Sequence, residues 1–166
     1  MGELEGKRYI DLTLTLSNTM NGVNITEARN LAKDGWNATT LGLYSHIGTH
    51  MDAPLHFGVT PQSIDEIPVQ RFISRAWLVN LSGILEKAEI TVNDMKPIAD
   101  KIKKGESLII RTDWSEKVGT KGYRDELPRI GKELALWMSE KQIGLLGVEP
   151  PSVADVNDIE EVTEIH

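Results

Sequence analysis

The 166-residue chain carries 25 Asp and Glu against 18 Lys and Arg, a formal net charge of −7, and no cysteine. The acidic balance argues against a phosphate-binding surface, because nucleic-acid affinity rests largely on Lys and Arg neutralising the backbone. Without cysteine there are no disulfides, zinc fingers or thiolate sites, so any metal must be held by imidazole and carboxylate.

The length suits one domain spanning 1–166. The N-terminus "MGELEGKRYIDL" is charged, and no window approaches the roughly 20 apolar residues of a membrane span. A cytoplasmic protein with a small-molecule partner, and without nucleic acid or membrane, is the expectation.

In chain order, "YIDLTLTLS" alternates Ile10, Leu12, Leu14 and Leu16 with polar residues, which predicts a half-buried strand over 8–16. "NATTLGLYS" (37–45), preceded by the turn-like "KDGW", predicts a second strand that runs directly into a histidine cluster. "RAWLVNLS" (75–82), "SLIIRTD" (107–113) and "QIGLLGVE" (142–149) are short apolar runs of the kind found in buried strands. "TVNDMKPIADKIKKG" predicts a helix capped by Thr91 and stopped at Gly105, with Pro97 delaying its regular part. "RIGKELALWMSEKQ" (130–143) sets Leu134, Trp137 and Met138 at helical spacing, a core-facing stripe. Residues 115–128 read as a long polar loop. Strands and helices alternate in the second half and the first half is mainly β, so the class is α/β or α+β around one sheet.

The chemistry concentrates in "SHIGTHMDAPLHFG" (45–58), which holds three of the four histidines. His46, His50, Asp52 and His56 fall at i, i+4, i+6 and i+10. On a straight strand His46 and His50 would lie roughly 13 Å apart, too far to share an ion with bonds near 2 Å. A continuous helix would turn Asp52 away and be interrupted by Pro54. A bent strand or strand-to-loop segment is therefore predicted, with Gly48 supplying the bend. Two imidazoles and a carboxylate suit a catalytic divalent ion with positions left for water and substrate. His56, slightly further along, suits a proton shuttle. Trp36, Phe57, Trp77 and Trp114 are candidates for an aromatic pocket, although core packing is the ordinary role of each.

"HIGTHMDAPLHF" resembles the H-x-G-T-H-x-D-x-P-x-H-F signature of the cyclase family, metal-dependent hydrolases that include bacterial kynurenine formamidase and isatin hydrolase. "YIDLTLTLS", "LIIRTDW" and "LLGVEPPSV" are similar to further segments of that family, so the likeness covers most of the chain. It implies a swivelling β/β/α domain with a central mixed β-sheet, and a homodimer or homotetramer. It implies His46, His50 and Asp52 as ligands of zinc or manganese and His56 as the catalytic histidine. His166 resembles a later ligand of a second ion, whose glutamate partner and following strands this chain is expected to lack. Glu149 stands where the family has aspartate and takes no ligand role. The expected activity is hydrolysis of a carbon–nitrogen bond in an aryl formamide or cyclic amide; the alternative is a catalytically impaired metal-binding or interacting relative.

Overall fold

The computed structural model of the chain describes residues 2–4 and 6–166, in two compact units, 1–53 and 54–166. The fold is mixed α/β with parallel and antiparallel sheets.

The first unit opens with a short antiparallel pair, β1 (Gly2–Leu4) and β2 (Lys7–Tyr9). The predicted strand over 8–16 survives only as far as Tyr9, because the residues after it spend their backbone groups elsewhere. Thr13 N–H donates to Asp11 Oδ1 at 2.8 Å and Leu14 N–H to Thr49 Oγ1 at 2.9 Å. Such side-chain bonds compete with a strand ladder, and Ile10 and Leu12 are left exposed.

β3 (Val23–Arg29), which the sequence reading missed, pairs antiparallel with β4 (Ala38–Leu43). The link between them holds one helical turn, α1 (Leu31–Asp34), capped by the Asn30 side chain and stopped by Gly35 at φ 79°. β4 matches the predicted second strand, and the histidine cluster follows it directly.

The second unit contains β5 (Ala76–Asn80), β6 (Glu89–Ile90), β7 (Ser107–Arg111), α2 (Gly122–Asp125), β8 (Arg129–Ile130), α3 (Lys132–Lys141), β9 (Leu146–Val148) and α4 (Ile159–Ile165). β5, β7 and β9 form a parallel sheet in that order, and β6 pairs parallel with β8. The three apolar runs that predicted strands are the three members of the larger sheet. Parallel neighbours require crossover connections, and the intervening helical segments supply them.

Register puts Trp77, Val79, Leu108, Ile110, Leu146 and Val148 on one face. That face belongs to a core with Met95, Ile98, Ile102 and Leu134, while Trp137 and Met138 pack against its edge. The α3 stripe is therefore core, as its spacing predicts. Trp114 is buried, and its Nε1 donates to the Tyr123 carbonyl at 2.8 Å.

The helix predicted after Thr91 does not become regular. Thr91 and Asp94 form a capping box over a 3₁₀ turn, Val92–Met95, and irregular turns follow. Pro97 has no N–H to offer the ladder, which breaks the run before it lengthens. The polar loop 115–128 carries two single turns, the 3₁₀ segment Trp114–Lys117 and α2. Among the described residues no helix is long and apolar enough to cross a membrane.

Candidate metal centre

The segment after β4 bends at Gly48, where φ is +61°. A β-carbon there would be strained by that backbone conformation and would stand 2.6 Å from Leu16 Cδ2. Thr49 Oγ1 fastens the next residue to the Leu14 amide. Two contacts from the irregular stretch 10–17 therefore shape the bend within the first unit.

The bend brings His46, His50 and Asp52 together, so that one donor atom from each lies within 4.8 Å of the other two. Asp52 Oδ1 is 2.8 Å from His46 Nδ1 and 3.6 Å from His50 Nε2. The imidazole centroids are 5.3 Å apart with the rings nearly perpendicular, and Tyr44 meets the His46 ring edge-on at 5.6 Å. Donors on a tetrahedral ion with bonds near 2.1 Å stand roughly 3.4 Å apart. The two observed separations bracket that spacing.

The tautomer of His50 points the same way. Its Nδ1 lies 3.1 Å from the Gly48 carbonyl oxygen. A carbonyl only accepts, so Nδ1 carries the proton and Nε2 keeps its lone pair toward the cluster. Metal-binding histidines characteristically have this outer hydrogen bond. The donor set thus fits a divalent ion with three protein ligands, the composition of a catalytic site with open positions.

The other two predicted site residues belong to the second unit. His56 lies on the exposed 3₁₀ turn Pro54–Phe57. His166 follows α4 and its Nδ1 lies 2.7 Å from the Val162 carbonyl oxygen. Both rings touch Phe57, His166 face to face at 3.7 Å and His56 edge to face at 4.2 Å.

Of the four aromatic-pocket candidates, Trp36 is exposed, Trp77 and Trp114 pack in or against the core, and Phe57 alone touches site histidines. The sequence reading missed two supporting residues, Leu16 and Thr49, and named Phe57 only as a pocket candidate. Phe57 was legible as the last letter of the motif, whereas Leu16 and Thr49 carry no signal without the fold.

Glu149 is bound within the second unit. Its carboxylate accepts from Thr112 N–H at 2.6 Å, Thr112 Oγ1 at 3.0 Å and Ser115 Oγ at 2.8 Å. Burial raises its pKa, but these bonds to the charged form outweigh burial, and the net shift is downward. The residue clamps the end of β9 to the turn after β7.

The Cyclase family model matches residues 10–155. Kynurenine formamidase of Bacillus cereus (strain ATCC 10987 / NRS 248) is 29% identical over 126 residues, covering 75% of this chain and 56% of that protein. The chain thus spans little more than half the length of the curated relatives it matches. Among solved structures, isatin hydrolase A from Labrenzia aggregata bound to benzyl benzoate superposes with TM-score 0.73 at 20% identity, over 92% of this chain and 69% of that one. A potential metal-dependent hydrolase with cyclase activity superposes with TM-score 0.70 at 17% identity, over 94% of this chain and 74% of that one. At those identities the likeness is one of fold.

Proposed function

The chain belongs to the cyclase family, and from that membership we propose a metal-dependent hydrolase that cleaves the carbon–nitrogen bond of an amide, an aryl formamide or a cyclic amide. The observation that carries the reading is the convergence of His46, His50 and Asp52 donor atoms within 4.8 Å.

These three side chains would hold zinc or manganese. A divalent ion in such a set supplies Lewis acidity and a water acidified toward neutral pH. Asp52 brings the negative charge, and the Gly48 carbonyl holds the His50 ring in its donor tautomer. His56 has the role of proton carrier: as water adds to the carbonyl carbon the imidazole takes up the proton that the water loses, and as the C–N bond breaks it gives that proton to the leaving nitrogen. His166, with Nδ1 spent on Val162, retains Nε2 as a donor for a second ion. The reading places the protein in the cytoplasm as a homodimer or homotetramer acting on a small molecule.

A second reading is a metal-binding relative of the same family without turnover. Metal analysis by mass spectrometry on the chain and on His50→Ala, paired with hydrolysis of formanilide and of a cyclic amide panel, separates the two. Zinc or manganese bound by the parent and lost in the variant, with hydrolysis, supports the enzyme. Bound metal without hydrolysis supports the second reading, and no metal in either protein defeats both.

A further inference from the structure

Three segments of the second unit, those that lead into β5, β7 and β9, line one cleft of about 440 Å³. That volume falls within the roughly 300–1,000 Å³ of small-molecule pockets. Met138 and Ile143, both half-buried and packed against the core, give the cleft its apolar part. Arg71 and Lys104, both exposed, bring two positive charges, and Ser139 and Gln142 add a hydroxyl and an amide. None of these residues is among those that carry the hydrolase reading.

The lining segments are tied to one another through the backbone. Gly105 N–H donates to the Gln142 carbonyl and Gly144 N–H to the Glu106 carbonyl, each at 2.9 Å. A β-carbon on Gly144 would stand 2.5 Å from the Gly105 oxygen, so the two loops meet too closely for a side chain. Arg71 sits on the 3₁₀ turn Val69–Phe72, and the chain just after it is joined to β7 where Ser107 N–H donates to the Arg75 carbonyl at 2.8 Å. The cations are available to a ligand. Among the described residues neither Arg71 nor Lys104 enters an ion pair. Glu106, two residues from Lys104, has its carboxylate engaged by Trp77 Nε1–H at 2.6 Å and by Lys103 N–H at 2.9 Å. Two such charges on one cleft, in a chain of net charge −7, favour an anion there.

We propose that this cleft binds a small organic carboxylate with an aromatic body. The Arg71 guanidinium offers a planar fork that matches both carboxylate oxygens, and the Lys104 ammonium adds a second charge. Met138 and Ile143 supply the apolar contact, and a thioether is suited to the edge of a ring. An inorganic anion would use the two cations and leave the apolar surface wet. A neutral ring would cover that surface and leave the cations without a partner. Only a molecule with both parts uses the whole lining.

The test titrates the full chain with benzoate, benzamide and inorganic phosphate, and follows the backbone proton–nitrogen signals of Gly105, Gln142 and Ile143. Benzoate should shift these signals saturably. Benzamide, which lacks the charge, and phosphate, which lacks the ring, should each bind more weakly. Arg71→Gln and Lys104→Gln, both at exposed positions, should each weaken benzoate by about 10-fold, the loss of one charge-assisted contact. Arg71→Lys, which keeps the charge without the fork, should fall between parent and Arg71→Gln. Lys33→Gln, in the first unit, lowers the net charge by the same amount and should leave benzoate affinity at the parent value. Absence of a saturable benzoate shift would overturn the proposal. Phosphate bound as tightly as benzoate, or Lys33→Gln as weak as Arg71→Gln, would also overturn it, by showing a general attraction for anions instead of a site.

Discussion

Gly48 approaches Leu16 so closely that a β-carbon on the glycine would stand 2.6 Å from Leu16 Cδ2. The contact ties the bend of the histidine segment to a stretch that lies about thirty residues earlier and forms no strand. A motif letter that reads as "small residue" is thereby a statement about tertiary contact.

Gly48→Ala should weaken the donor set from two directions, the φ of +61° and the clash with Leu16. The left-handed conformation alone costs about 1–3 kcal/mol for a residue with a β-carbon. Zinc affinity by competition with a chromophoric chelator should fall, and Leu16→Ala in the same chain should recover only part of it, because the backbone strain remains. Unchanged zinc affinity in the single variant would break the link between bend and site.

Glu149→Gln keeps the length of the clamp and removes its charge, and should cost about 1.5–3 kcal/mol at pH 7, the range for bonds to a charged group. The folded pKa of Glu149 is lowered, so its contribution is present above the ordinary carboxylate range and is lost as pH falls through the folded value. Urea unfolding of the parent and the variant should therefore diverge at neutral pH and converge in acid. A gap that widens on acidification would contradict this account.

Leu134 has no exposed surface and sits in the core of the second unit. Leu134→Ala should destabilise by about 2–5 kcal/mol, the range for a buried leucine that leaves a cavity. Hydrogen exchange should accelerate across β5, β7 and β9.

Arg129 joins β8 to α4 through Asp155 at 3.2 Å and Glu161 at 3.1 Å. Arg129→Met should free α4, at about 1.5–3 kcal/mol for the lost charged bonds. Amide exchange should rise at Val162 and at His166, whose N–H donates to the Val162 carbonyl. Exchange in α4 that matches the parent would show that the capping by Asp158 suffices to hold the helix.

Several elements were legible because their determinants are local. The runs at 75–82, 107–113 and 142–149 became the parallel sheet, since short apolar β-branched runs bounded by polar residues suit strands buried within a sheet. The helix at 130–143 held for the same reason, its stripe matching the period of a helix. The strand over 8–16 and the helix after Thr91 failed where local pattern competes with something else. Asp11 and Thr49 took the amides that a ladder needs, and Pro97 removed one that a helix needs.

For the site, the residue types and spacing in 46–56 were sufficient to propose a metal and to require a bend at Gly48, because bond lengths near 2 Å exclude a straight strand. What the chain order could not supply is everything that depends on groups far apart in sequence. The Leu16 wall, the Thr49 tie and the stacking of Phe57 on His166 bring together residues separated by about 32 to 109 positions along the chain. Such contacts are decided by how the elements close on one another, which no local period encodes. The same holds for Glu149, a departure from the family letter that the fold turns into a clamp on Thr112 and Ser115.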